Sequence, residues 1–191
     1  MKMNIAIFAS GNGSNAEKII EHFQNHSKIK IALVLSNKKE AFVLQRAEKH
    51  NIPTFTFTLS ELNQTNKVIE KLNDYNIGFI VLAGFMVKIP NLLIKAYSGR
   101  IINIHPALLP KYGGKGMYGE HVHQAVINAK EQESGITIHY VNEHYDEGQI
   151  IFQAKCKISP NDTPESLAQK IHQLEHTYYP QITEKVILKE I

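Results

Sequence analysis

Asn103 and His105 are two polar residues in an otherwise apolar run, within "GRIINIHPALLPKYGG" (99–114). Ile101, Ile102 and Ile104 read as buried strand. Successive side chains of a strand point to opposite faces, so 103 and 105 share one face. Pro106 then removes a backbone donor and ends the ladder. Histidine can give or take a proton near neutrality. An asparagine amide can hold a carbonyl oxygen as it gains negative charge. One such residue would read as a hydrogen-bonded core polar; two on one face at a strand end read as chemistry. A carboxylate is needed to set the charge and tautomer of the imidazole. Asp146, in the turn of "NEHYDEGQII" (142–151) with Gly148 two residues on, is the best candidate.

A second stretch, "SGNGSN" (10–15), lies between a strand and a helix. In a parallel α/β sheet that is the edge where ligands bind. Gly11 and Gly13 let backbone approach a ligand closely, and the helix start beyond them suits a phosphate. With Ala16 the spacing is also that of a dinucleotide fingerprint. That fingerprint calls for an acidic residue after the second strand, where this chain has Ser36, Asn37, Lys38 and Lys39. The lysines could suit a 2′-phosphate, and a tight turn that binds nothing is the third reading. His121, His123, His139 and His144 raise a metal reading, which is weak because no cysteine pair completes it.

The elements that must position these residues alternate along the chain. Strands are expected over 4–9, 30–36, 53–58, 77–84 and 100–105, with helices over 14–26, 40–51, 66–76 and 90–97. Ser14 and Glu17 have the spacing of a capping box. A Gly-rich loop (107–119) leads to a helix over 119–132. Strands at 135–142 and 149–158 precede a final helix over 163–190, expected to bend at Pro180. The order predicts an α/β fold: a Rossmann-like, mostly parallel sheet with helices on both faces. No repeat, low-complexity tract or long linker interrupts it, so residues 1–191 read as a single domain.

Bulk properties narrow the function. Apolar residues make up 43% and charged residues 20% of the 191, ordinary for a globular protein. Net charge is +3 with scattered basic residues, so no stripe offers itself to nucleic acid. Cys156 is the single cysteine, which excludes an internal disulfide and fits a reducing compartment. The N-terminal apolar run is too short for a signal or a membrane span. The expectation is a cytoplasmic protein with no membrane partner.

"NIHPALLP" (103–110) together with "GITIHYVNEHYDEGQII" (135–151) resembles the signature pair of the folate-dependent formyltransferases. "FASGNGSN" (8–15) and "VLAGFM" (81–86) narrow the resemblance to members that formylate glycinamide ribonucleotide in purine synthesis. It covers nearly the whole chain. Relatives acting on methionyl-tRNA or hydrolysing formyl folate carry an added domain, for which 191 residues leave no room.

The resemblance implies that Asn103, His105 and Asp146 are the catalytic trio. It implies that Gly11, Asn12, Gly13, Ser14 and Asn15 hold the ribonucleotide phosphate, and that Glu175 binds the same substrate. For the folate it implies Met86, Val87, Lys88 and Ile89, then Asn103, and Asn142, Glu143, His144, Tyr145 and Asp146, largely through backbone groups. 10-Formyltetrahydrofolate would be the co-substrate, with no metal. The phosphate-binding half would cover about 1–100 and the catalytic, folate-binding half about 101–191, in a monomer or homodimer. A formyltransferase acting on another amine, such as an amino sugar nucleotide, is the nearer alternative; a non-catalytic phosphometabolite-binding module is the farther one. The chain departs from the family pattern at Val87, where relatives often carry arginine, and again between 58 and 68, where a folate-contacting arginine is common. The loop 111–124 is also longer than the common pattern, and its glycines suggest a mobile lid.

Overall fold

The computed structural model describes residues 2–191. In chain order the elements are β1 (Met3–Phe8), α1 (Ser14–Phe23), β2 (Ile29–Ser36), α2 (Phe42–Lys49), β3 (Thr54–Thr56), α3 (Leu59–Gln64), α4 (Lys67–Asp74), β4 (Ile77–Leu82), α5 (Asn91–Ala96) and β5 (Ile101–His105). They continue as α6 (Glu120–Asn128), β6 (Glu133–Tyr140), β7 (Ile150–Lys157) and α7 (Pro164–Leu188). The sheet has seven strands in the order β3-β2-β1-β4-β5-β6-β7. The chain divides into two compact units, one ending at Ile102 and the next beginning at Asn103.

In the first unit β1 pairs in parallel with β2 and β4, and β2 pairs in parallel with β3. Ile5, Ala6, Ile7 and Phe8 are all fully buried, so β1 is covered on both faces. That is why it reads as a continuous apolar run rather than an alternating one. The helices present apolar stripes: Ala16, Ile19, Ile20 and Phe23 of α1 are buried at helical spacing.

Two local features differ from expectation. The cap of α1 is Gly13, in the left-handed region at φ 77°, with no side-chain cap bond. Ser14 is therefore the first helical residue, and Glu17 pairs with Arg46 instead of closing a capping box. The second is α3, which the periodicity does not predict. Thr58 ends the expected strand and caps α3 in a reciprocal box with Glu61.

In the second unit β6 and β7 pair antiparallel, making the sheet a mixed one. Tyr140 N–H donates to the Gln149 carbonyl at 2.9 Å, closing the turn that holds Asp146. Gly148 lies against the Tyr140 carbonyl where a Cβ would overlap it, so the turn can close only with glycine there. Thr137 Oγ1 fixes the chain after β5: it donates to the Ala107 carbonyl at 2.7 Å and accepts from the Leu109 N–H at 3.0 Å. Gln153 Nε2 donates to both the Leu109 carbonyl and Thr137 Oγ1. α7 begins on Thr163 and Ser166 in a capping box and runs unbroken through Pro180. Among the described residues no helix is long and apolar enough to cross a membrane.

Candidate active site

β5 delivers Asn103 half-buried and His105 buried, and the β6–β7 turn delivers Asp146. Asp146 has φ 55°, an uncommon conformation that aspartate tolerates better than most residues. Its Oδ2 lies 3.6 Å from His105 Nδ1 and accepts the Gly114 N–H at 2.9 Å. Its Oδ1 lies 3.6 Å from Nε2 of a second histidine, His139 on β6. His105 Nε2 is 2.7 Å from the Tyr112 carbonyl. A carbonyl only accepts, so Nε2 carries a proton. His139 Nδ1 likewise donates to the Tyr140 carbonyl at 2.8 Å, and its Nε2 lies 3.2 Å from the Asn103 amide nitrogen.

Electrostatics follow from this packing. Burial is the largest influence on His105 and pushes it below the ordinary imidazole value; the Asp146 charge and the Tyr112 carbonyl draw it back only in part. Burial alone would raise the Asp146 carboxyl. The adjacent His139 ring, the charge of His105 and the Gly114 amide outweigh burial and hold Asp146 below the usual carboxylate range. The pair is thus set as an ionised acid beside a largely neutral base at pH 7. With Nε2–H given to Tyr112, neutral His105 has no proton on Nδ1 to place between itself and Asp146.

The sequence reading names His139 only as a metal candidate. Its signal is the one already used for β5: Thr137 and His139 alternate with Ile136 and Ile138, a polar pair on one face of an apolar strand. Tyr112 and Gly114 act through the backbone and have no such signal. The first residues of the Gly-rich loop are held in place, since Tyr112 Oη and Lys111 Nζ both donate to Glu131 Oε1 at 2.9 Å. The expectation of a mobile lid therefore narrows to 115–119. Among the described residues no group of three or more His, Cys, Asp or Glu side chains could hold a metal ion.

Glu175 on α7 is 5% exposed and accepts from His172 Nδ1 at 2.8 Å. That bond is the main cause of a raised His172 value. The folate candidates 142–146 lie on the turn, Asn142 and Asp146 half-buried, Glu143, His144 and Tyr145 exposed. Leu109, Pro110, Gly113, Gly114, Tyr145 and Asp146 contribute to the wall of a cavity of about 420 Å³, within the range of small-molecule pockets.

In the first unit the loop 10–15 is braced from behind. Arg46 Nε donates to the Asn12 carbonyl at 2.9 Å and Nη2 to Asn12 Oδ1 at 2.8 Å. Val43 N–H donates to the Gly11 carbonyl at 3.2 Å. Ser10 Oγ donates to Asn37 Oδ1 at 2.7 Å and accepts the Met86 N–H at 3.1 Å, tying this loop to the 86–89 segment. Asn37, read as part of a poor ribose site, is thus a brace for the loop. Asn12 is exposed and Gly11, Gly13, Ser14 and Asn15 are half-buried at the start of a ten-residue helix, an arrangement able to take an anion. In the 86–89 segment Met86 and Lys88 are exposed, Val87 is half-buried and Ile89 buried.

The family model described as Formyl transferase matches residues 3–183. The phosphoribosylglycinamide formyltransferase of Bacillus subtilis is 38% identical over 95% of this chain and 93% of its own length. The chloroplastic enzyme of that name from Arabidopsis thaliana is also 38% identical, and this chain spans 64% of its length. Among solved structures, the phosphoribosylglycinamide formyltransferase of Anaplasma phagocytophilum superposes with a TM-score of 0.90 at 32% identity, covering 99% of this chain and 89% of its own. That of Bacillus halodurans gives 0.88 at 37% identity, covering 98% and 97%.

Proposed function

The chain belongs to the formyl transferase family, and from that premise we propose that it transfers a formyl group from 10-formyltetrahydrofolate to the amine of 5-phosphoribosylglycinamide, a step of purine biosynthesis. The observation that carries this reading is the meeting of Asn103, His105 and Asp146, from β5 and the β6–β7 turn, in one cluster. Residues 1–191 act as one formyltransferase domain, in the cytoplasm, as a monomer or homodimer.

Gly11, Asn12, Gly13, Ser14 and Asn15 hold the ribonucleotide phosphate, and Glu175 binds the same substrate. Met86–Ile89, Asn103 and Asn142–Asp146 hold the folate, which supplies the formyl group. The substrate amine attacks the formyl carbon, the carbonyl oxygen becomes an oxyanion, and the bond from that carbon to the folate nitrogen breaks. The amine loses one proton and the folate nitrogen gains one. The His105–Asp146 pair suits that transfer, because a proton taken between Nδ1 and Oδ2 completes the imidazolium. While it is held there, the positive charge and the Asn103 amide stabilise the oxyanion. The route needs neither a covalent enzyme intermediate nor a metal.

The test is release of tetrahydrofolate with glycinamide ribonucleotide beside a panel of other amines. Turnover with the ribonucleotide alone is the expected result. Turnover with an amino sugar nucleotide instead would reassign the substrate. Absence of turnover with every amine would reduce the chain to a phosphometabolite-binding module.

A further inference from the structure

Tyr112 joins two environments. Its backbone carbonyl accepts from His105 Nε2, and its phenol donates to Glu131 Oε1. Its φ of 58° is unusual for a bulky residue, so something must hold it. Two residues on, Gly114 N–H donates to Asp146 Oδ2. Between them, a Cβ on Gly113 would run into Leu109 and approach Asp146 Cβ to 3.3 Å. The segment 112–114 therefore lies flat against the pair and bonds both of its members. Its outer fastening is Glu131, in the connection between α6 and β6. Lys111 and Tyr112 both donate to that carboxylate and hold it below the usual range. The Lys111 ammonium is exposed and such a pair contributes little by itself. The phenol-to-carboxylate bond is charge-assisted and directional.

We propose that Glu131 is a positioning residue for formyl transfer: by holding the Tyr112 phenol it fixes the carbonyl that orients the His105 ring toward Asp146. The activity arm of this inference rests on the catalytic roles given to His105 and Asp146; the orientation of the ring does not. The groups that act on His105 are Asp146, the Tyr112 carbonyl, His139 and Glu175. Of these, only the Tyr112 carbonyl is fastened by Glu131 in the hydrogen bonds described above.

The experiment combines E131A, E131Q and Y112F with steady-state kinetics and nitrogen-resolved NMR titration of His105. E131A and Y112F should each lower kcat on the order of 10-fold, less than the roughly 10²-fold that a 1 Å misplacement can cost. KM for either substrate should stay within about two-fold. The His105 titration should move to lower pH in both, because a well-placed Tyr112 carbonyl favours the charged ring. E131Q keeps an acceptor for the phenol and should recover most of kcat and of the titration. Y112F alters a single oxygen and serves if E131A fails to fold. Unchanged kcat and unchanged His105 titration in E131A or Y112F overturn the proposal. Reduced kcat with an unchanged titration overturns it too, because that outcome marks a general loop defect. A wild-type chain that transfers no formyl group would sink the proposed function, while the titration would still decide the role of Glu131.

Discussion

Asp146 Oδ1 stands 3.6 Å from His139 Nε2, mirroring the 3.6 Å between Oδ2 and His105 Nδ1. One carboxylate therefore serves two imidazoles. His139 Nε2 in turn lies 3.2 Å from the Asn103 amide nitrogen. The three residues singled out by family resemblance are joined through a fourth that was not.

Asp146→Asn keeps shape and removes charge. Burial then acts on His105 with less opposition, and its titration should move to lower pH. We expect kcat to fall by about 10²–10⁴-fold, the range of a positioned acid–base group, with modest change in either KM. His105→Ala added to Asp146→Asn should cost far less than the product of the single losses. Fully multiplicative losses would show that the two residues work independently.

His139→Ala removes the ring that most lowers the Asp146 carboxyl. Asp146 then holds its proton to higher pH, and the protonated acid cannot accept another from the amine. The acid limb of the kcat/KM profile should shift upward in pH, with a plateau kcat reduced by roughly 10-fold, less than loss of a direct acid–base group. An acid limb that stays in place would remove His139 from the control of Asp146. The same sign holds for stability. A carboxyl lowered in the folded state stabilises above its unfolded value, and that contribution is lost as pH falls through the folded value.

Amide exchange should divide the Gly-rich loop. The Gly114 amide, bonded to Asp146, should exchange slowly in the free protein. Gly116, Tyr118 and Gly119 are exposed and should exchange fast. A folate analogue should slow 115–119. Fast exchange at Gly114 would contradict the hold on His105 and Asp146; unchanged exchange at 115–119 with both ligands present would end the lid reading.

The two loop glycines allow binding to be separated from folding. A Cβ on Gly13 would collide with the side chain and backbone of Val43, and φ is positive there. Gly13→Ala should lose about 1–3 kcal/mol of stability by overpacking, read from urea denaturation. A Cβ on Gly11 meets nothing within 4 Å. Gly11→Ala should fold normally and raise the ribonucleotide KM with little change in kcat. An unchanged KM would take the phosphate away from this loop.

The strands were legible because their apolar runs are uninterrupted, as in β1 and β4, and the paired polar residues of β5 marked one side of the site. α3 was not, because its six residues bury only Leu62 and leave no periodicity to read. The cap of α1 went to Gly13 because Val43 packs where a side chain would stand, a tertiary contact that Ser14 and Glu17 cannot announce. His139 carries the same alternation as His105, but no asparagine shares its face to mark a site. Tyr112 and Gly114 contribute a carbonyl and an amide, which every residue has, so residue type could not single them out.

The contacts that assemble the site are distant in sequence. Leu109 meets Thr137 across 28 residues, Gly114 meets Asp146 across 32, and Asn103 meets His139 across 36. None of them can form until the β6–β7 hairpin has docked beside β5, and each requires closing a long loop of chain. Helices can regain their circular dichroism well before that. During refolding, catalytic activity should therefore be among the last properties to return, and its half-time would measure the docking of that hairpin rather than the growth of any single element.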